Sequence, residues 1–219
     1  MIKILVATKN LGKIDEIKKN LSDLPFEIVS LKDVNITDDV VEDGATYYEN
    51  SLKKAMFYAK KSGLPAVSDD GGIEIQALYG APGIKSRRWL GYEATDEELI
   101  EYMKKVALEL PDNNRIAYFR TVVTFALPTG TYHQVEGKVK GLIAKKPHLK
   151  ILKGYPFRSF FFIPELSKFY HEDELTSEEE KLYNHRYIAL KRLKVFIKRE
   201  LVSKGKDKTK RVSDKSKKK

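Results

Sequence analysis

Three groups of residues in this chain have the types and spacing that phosphate chemistry needs. The first is Thr8-Lys9-Asn10-Leu11-Gly12-Lys13, which follows an apolar run and opens a helical pattern. A strand-to-helix turn aims free backbone N–H groups and the positive end of the helix dipole at one point, so it suits an anion. Lys13, one turn into the helix, adds a full charge, while Thr8 and Asn10 add side-chain donors. The plainer reading is a capped helix with an exposed lysine, since the glycines match neither a P-loop nor a dinucleotide motif. The second group is acidic: Glu42 and Asp43 before Gly44, then Glu49 and Asn50, then Asp69-Asp70-Gly71-Gly72 between apolar stretches. Carboxylates in apolar surroundings need partners, and Mg²⁺ held by one or two of them while gripping phosphates is one such partner. An ordinary Asp-Gly turn is the alternative. The third group is Lys181, His185 and Arg186, whose spacing predicts one side of a helix, either a solvated face or a set of donors. The aromatic run Tyr155, Phe157, Phe160, Phe161 and Phe162 is core unless one ring stacks on a base.

The elements that position these groups follow from periodicity. Residues 2–7 are β-branched and apolar, the pattern of a buried first strand and not of a secretion signal. Asn10 begins a helix with Leu11, Ile14, Ile17 and Leu21 at helical spacing. Residues 26–31 predict a second strand, and 46–61 a helix closed by Gly63 and Pro65. Over 65–75 the pattern predicts strand, Asp-Asp-Gly-Gly turn, strand. A loop with Pro82 spans 80–91, and a Thr95/Glu98 capping box opens a helix to 108. Residues 117–127 and 132–143 form a hairpin turned at Pro128-Thr129-Gly130, and 155–164 end in a strand. Residues 176–202 are a last helix or helix pair capped by Thr176 or Ser177. No internal repeat is present. Alternation of strands and helices followed by a hairpin gives an α/β chain, with a mixed, twisted sheet flanked by helices.

The 219 residues suffice for one sizeable domain, expected over 1–200 as two lobes, and 42% hydrophobic content excludes wholesale disorder. No stretch approaches the ~18 apolar residues of a membrane span. The lack of cysteine rules out disulfides and thiolate metal sites and fits a reducing interior, so the cytoplasm is the expected compartment. A net charge of +10 would raise nucleic acid as a partner, but over 203–219 nine Lys/Arg stand against two aspartates. Seven of the ten charges therefore belong to a Lys/Ser-rich tail whose composition predicts a solvated, disordered end. A weak polyanion-binding arm is the sharper alternative for it.

In order and spacing the motifs resemble the inosine triphosphate pyrophosphatase family. The matching segments are T-K-N-L-G-K from Thr8, E-D-G-A-T-Y-Y-E-N-S-L-K-K-A from Glu42, and S-D-D-G-G-I-E-I-Q-A-L from Ser68. They continue with G-A-P-G-I-K-S-R-R from Gly80, E-G-K-V-K-G-L-I from Glu136 and E-E-K-L-Y-N-H-R-Y-I-A-L from Glu179. The resemblance covers about residues 3–193. It implies a central elongated mixed sheet with lobes around a deep nucleotide-binding cleft, usually in a homodimer. It also implies hydrolysis of ITP, dITP and XTP to the monophosphate and pyrophosphate, a house-cleaning of the nucleotide pool. Carried over by position, Thr8, Lys9, Asn10, Leu11, Gly12 and Lys13 match the triphosphate turn, with Gly71 near the phosphates. Asp70 matches the general base, Glu42 and Asp70 match ligands of Mg²⁺ (or Mn²⁺ in its place), and Lys13 and Glu42 join Asp70 as catalytic. Tyr155, Pro156, Phe157 and Arg158 fall on the base loop, and Lys181, His185 and Arg186 match the base-recognition group.

Three positions depart from the family pattern. Gly71 stands where serine is usual, and Arg87 where alanine is usual. G-Y-P-F-R-S-F-F-F-I-P, from Gly154, stands where the family reads G-F-G-Y-D-P-I-F-F-x-P. Pro156 fixes φ where a glycine was free. Arg158 replaces an aspartate and cannot accept a hydrogen bond from the N1–H of an inosine-type base. Base recognition therefore differs, or another acceptor serves. Two other functions stay open on sequence alone: a related pyrophosphatase with altered base choice, and a nucleotide- or RNA-binding protein of weak activity that uses the basic tail.

Overall fold

The structure, a computed structural model, describes the backbone of residues 1–216 and the side chains of residues 1–202. Strand β1 (Lys3–Val6) leads into helix α1 (Leu11–Leu21), whose start is fixed by Asn10: its side chain accepts the Lys13 N–H. Such a cap is worth ~1 kcal/mol, whereas burying each of Ile17 and Leu21 is worth roughly 1.5–3, so packing decides where α1 lies and the cap where it begins. Strand β2 (Glu27–Ser30) follows, then α2 (Tyr47–Ser62), capped by Thr46 and ended by Gly63 in the left-handed region. Strand β3 is Ala66–Ile75, helix α3 is Asp96–Glu109 behind the predicted Thr95/Glu98 capping box, and β4 (Ile116–Ala126) and β5 (Tyr132–Ile143) form the predicted hairpin. Short strands β6 (Phe161–Ile163) and β7 (Lys168–Phe169) and helices α4 (Ser177–Tyr183) and α5 (His185–Ser216) complete the chain.

The seven strands form one open mixed sheet in the order β2-β1-β3-β4-β5-β6-β7. β1 pairs in parallel with β2 and β3, and every pairing from β3 onward is antiparallel. Side chains alternate across it. In β1, Ile4 and Val6 pack with α1 and α5 (Ile17, Leu21, Leu190, Leu193), while Leu5 packs with α2 (Ala55, Tyr58, Ala59) on the other face. A third core lies toward the other end of β4, where Leu99, Ile100 and Met103 of α3 meet Phe119, Phe161 and Tyr170. One face of β4 feeds two cores: Val123 and Phe125 join the α1/α5 core, Ala117 and Phe119 the α3 core. Between them stands Thr121, whose hydroxyl donates to the Asp70 carbonyl and to Asp69. The polar seam between two apolar cores is where the cleft opens.

Two expectations are corrected. Asp69-Asp70-Gly71-Gly72 does not turn: β3 runs straight through it, paired residue by residue with Val123, Val122, Thr121 and Arg120. The glycines serve close approach instead. A Cβ on Gly71 would strike the backbone of Arg120 and Thr121, and one on Gly72 would strike Gly83 O and Ser86. The other correction concerns the single helix side expected for Lys181, His185 and Arg186. Of the two forms expected for the last segment the structure has the helix pair, broken at Asn184, so Lys181 belongs to α4 while His185 and Arg186 begin α5. The Asn184 side chain accepts the Arg186 and Tyr187 N–H groups, which starts a new helix where the spacing alone continued the old one. The α5 backbone extends to Ser216, into the Lys-rich segment predicted to be unstructured; the side chains of 203–219 lie outside the described residues, and so does the expectation about that tail.

Candidate active site

The cleft has a volume of about 570 Å³ and is lined by Thr8, Lys9, Asn10 and Lys13, by Glu42, Lys54, Asp70 and Gly71, and by Tyr155 to Arg158 with His185 and Arg186. Members of all three predicted groups thus meet, but not every member. Of the acidic group Asp43 pairs with Lys53, Glu49 and Asn50 accept the Ala45 and Gly44 N–H groups, and Asp69 lies behind the cleft wall, while Leu11, Gly12 and Lys181 also fall outside the cleft. Leu11 is 72% exposed and Gly12 packs under the Tyr155 ring, so neither lines it. Lys181 is 52% exposed, pairs with Glu178 and borders a separate smaller cavity.

Adjacent aspartates on β3 divide the work because their side chains point to opposite faces. Asp69 is fully buried and holds cations: Lys13 Nζ lies 3.2 Å from its Oδ2, and Arg186 reaches the same oxygen through Nε at 3.0 Å and Nη2 at 2.9 Å. Burial would raise this carboxyl, but Lys13 and Arg186 outweigh it and hold it well below its ordinary range. Asp70 lines the cleft. Its Oδ1 accepts the Gly71 N–H at 3.0 Å, its buried Oδ2 accepts no hydrogen bond of ordinary geometry, and the Asn50 side chain lies close enough to favour the charged carboxylate. Burial pushes its carboxyl above the ordinary value, and Glu42 adds to this, against the pull of Lys54 and Lys13. Glu42 pairs with Lys54 at 2.8 Å, and Arg88 donates to its carbonyl at 2.9 Å.

The opposite end of the cleft is built from rings and guanidinium groups. Arg158 is 6% exposed, with its guanidinium 3.9 Å from the Tyr155 ring centroid and 4.4 Å from that of Tyr170. Its Nη2 donates to Glu16 Oε1 at 2.6 Å, Asn184 donates to the same oxygen at 3.2 Å, and Arg186 Nη1 pairs with Oε2. Burial opposes the charge on Glu16, but Arg158 and Arg186 hold its carboxyl well below its ordinary value. His185 is buried and stacks on Phe119; burial, then Arg186, lowers it well below its ordinary value, so it is neutral. Phe157 lines the cleft beside Trp89.

Sequence reasoning missed Glu16, Lys54 and Asp96. Glu16 stands three residues after Lys13 on α1, and Lys54 four after Asn50 on α2, so helical spacing carried the signal. Asp96 accepts the Gly154 N–H at 2.5 Å and pairs with Arg87, the unusual arginine, while Asn10 donates to Gly154 O at 3.4 Å. No local pattern announces that strap.

For a metal the fit rests on Asp70 Oδ2, a buried oxygen that accepts no hydrogen bond of ordinary geometry, close to Glu42. Among the described residues no group of three or more His, Asp or Glu forms a closed metal site. Two carboxylates beside an anion site match a hard cation that takes its remaining ligands from phosphate and water.

An open mixed sheet with a lysine-bearing strand-to-helix turn, a cleft carboxylate and a ring-lined end defines the class: an α/β protein with one charged, ring-lined cleft. The particular family is shown by comparison. The Ham1 family is matched over residues 4–196, and the chain belongs to it. It is 38% identical over 192 residues to a dITP/XTP pyrophosphatase of Thermus thermophilus, covering 88% of this chain and 90% of that one. It is 35% identical over 195 residues to the dITP/XTP pyrophosphatase of Escherichia coli K12, covering 88% and 96%. The solved structure of a HAM1 protein from Coxiella burnetii superposes with a TM-score of 0.76 at 31% identity, covering 90% of this chain and 98% of that one.

Proposed function

We propose that the chain is a nucleoside triphosphate pyrophosphatase that hydrolyses non-standard purine nucleotides, dITP, XTP and ITP, to the monophosphate and pyrophosphate. Membership of the Ham1 family and relatives named dITP/XTP pyrophosphatase support the substrate class. The observation that carries the chemistry is the buried Asp70 oxygen, without a hydrogen bond of ordinary geometry, facing the same cleft as Lys13 and the Thr8–Asn10 turn.

In this reading the triphosphate lies along the turn, its charge met by Lys13, by Thr8 and Asn10, and by the start of α1. Asp70 takes the proton of a water whose oxygen bonds to the α-phosphorus, in line with the departing pyrophosphate. The P–O bond to the β-phosphate breaks, and the leaving group carries away the electron pair. A raised carboxyl makes Asp70 a better proton acceptor than an ordinary aspartate, and Asp69 fixes Lys13 where the leaving charge grows. Glu42 and Asp70 would hold Mg²⁺, or Mn²⁺ in its place; when bound, the ion supplies charge neutralisation of the phosphates. Rings at Tyr155 and Phe157 and the donors Arg158 and Arg186 face the base, where donors reward the 6-carbonyl of hypoxanthine or xanthine over the amino group of adenine. A homodimer in the cytoplasm is part of the same proposal; among the described residues no helix is long and apolar enough to cross a membrane.

The test is product analysis over ITP, XTP, dITP, ATP, GTP and UTP with Mg²⁺ and with chelator. Pyrophosphate, not orthophosphate, is expected, with ITP or XTP well ahead of ATP and loss of turnover in chelator. Orthophosphate as the product would end this reading.

A further inference from the structure

We propose that Arg158 makes the base end of the cleft cationic, so that it selects purines able to carry negative charge on the six-membered ring: xanthine nucleotides ahead of hypoxanthine ones. This deepens the pyrophosphatase reading and rests on it.

Helix α1 brings Lys13 and Glu16, β3 brings Asp69, α5 brings Arg186 and the base loop brings Arg158. Three cations thus face two carboxylates, an excess of one positive charge. An aspartate at position 158 would leave two cations against three carboxylates, so the exchange moves the pocket by two charges. The one free carboxylate oxygen of the network, Asp69 Oδ1, belongs to a fully buried side chain that does not line the cleft. Both oxygens of Glu16 are engaged, one by Arg158 and Asn184 and the other by Arg186. Arg158 itself is not spent: its buried Nε has no partner in the protein, although the side chain is held rigidly against the rings of Tyr155 and Tyr170. A buried donor without a partner is costly, and a ligand acceptor removes that cost.

The two bases answer such a pocket differently. Hypoxanthine is neutral around neutral pH and turns an N1–H donor toward its edge. A xanthine nucleoside loses its N3 proton near neutrality, and the charge spreads over N3, O2 and O6, all of them acceptors. The pocket therefore rewards the anion, while guanine adds a 2-amino donor that meets other donors.

The protein's own groups stay fixed over this range. Burial and Arg186 keep His185 neutral, burial keeps the phenols of Tyr155 and Tyr170 protonated, and Arg158 and Arg186 keep Glu16 ionised against its burial. Glu180, near Tyr170, lies outside the network. Ionisation at the phosphate end acts on both substrates alike and cancels in their ratio.

The experiment measures kcat/KM for XTP and for ITP by pyrophosphate release from about pH 4.5, below the ionisation of free xanthine, to about pH 7.5, below that of hypoxanthine. An opposite charge at contact favours the ionised form by roughly 1–3 pKa units, so the XTP/ITP ratio is expected to climb about tenfold or more with pH. Arg158→Gln should flatten the climb and Arg158→Lys should keep most of it. As a check that needs no variant to fold, ultraviolet titration of XMP bound to the unmodified protein should show the base ionising at least about one unit lower than free XMP. A ratio flat with pH, a climb that survives in Arg158→Gln, or an unshifted XMP titration would each overturn the proposal. Absence of pyrophosphate from both nucleotides would instead sink the hydrolase reading, while the XMP titration still judges this one.

Discussion

The two ends of the cleft are built on different principles. At the phosphate end each functional group comes from a short local motif: the Thr8–Lys13 turn from one strand–helix junction, Asp70 from one strand, Glu42 from one loop. At the base end nothing is local. Arg158 of the base loop, Asn184 at the break before α5 and Arg186 of α5 converge on the one carboxylate of Glu16, on α1, across more than 140 positions of sequence. The first design makes function depend on single side chains, the second on a network. The same substitution of charge should therefore lose turnover at one end and loosen structure or base choice at the other.

The largest effects belong to the phosphate end. Asp70→Asn removes the proton acceptor and is expected to lower kcat by ~10²–10⁴-fold with KM little changed. Lys13→Ala removes the cation that meets the leaving group, for a loss on the order of 10²–10³-fold. Asp70→Asn should keep the melting temperature within a few degrees, because it removes a buried charge and fills no apolar core, whereas Lys13→Ala leaves the buried Asp69 with Arg186 alone and should lower it. Steady-state kinetics beside a thermal melt checks this, and a kcat within tenfold of the parent for either variant would remove the mechanism.

A middle-sized effect, of the opposite kind, is expected at Glu16. Glu16→Gln leaves the buried Arg158 without its counter-charge and Arg186 with Asp69 alone, and breaking a buried pair by removing one partner costs about 3 kcal/mol. Stability should fall in denaturant titration, while the double variant Glu16→Gln/Arg158→Gln should recover much of the loss. The pH dependence has a definite sign. The Glu16 carboxyl is depressed in the folded state, so its stabilisation is fully present above 4.5, the ordinary value, and is lost as pH falls from there toward the folded value. The Gln variant should therefore lose less stability than the parent between about pH 5 and about pH 3. Equal acid slopes would show that the network stores no charge-dependent stability.

The same contrast explains what could be read from sequence. The open mixed sheet, the Asn10 and Thr95 caps and the β4–β5 hairpin were legible because period, caps and turn chemistry act over a few residues, and the elements so placed bring Thr8, Lys13, Glu42 and Asp70 to one cleft. Asp-Asp-Gly-Gly misled because a turn signature and a strand that needs two close approaches use the same glycines, and only the distant Thr121 and Ser86 decide between them. Lys181 misled because an asparagine inside a helical pattern caps a new helix, which the spacing of cations does not register. Arg158 was visible as an oddity, but its answer, Glu16, lies on another element altogether.

The smallest expected effect concerns the link between the ends. Gly154 is held on both sides, its N–H donating to Asp96 at 2.5 Å and its carbonyl accepting from Asn10, the residue that caps the phosphate helix. Removing Asp96 leaves one half-buried N–H without its acceptor, a cost of about 1 kcal/mol that falls on the position of the base loop and not on the reacting atoms. Asp96→Ala should accordingly raise KM about fivefold and leave kcat alone. Combined with Lys13→Ala, its effect on kcat/KM should add to within about 0.5 kcal/mol if the ends act separately. A larger deviation would mean that Gly154 transmits the state of one end to the other, and the cleft would then have to be treated as a single cooperative unit, because the cap at Asn10 and the strap at Asp96 would be two ends of one constraint.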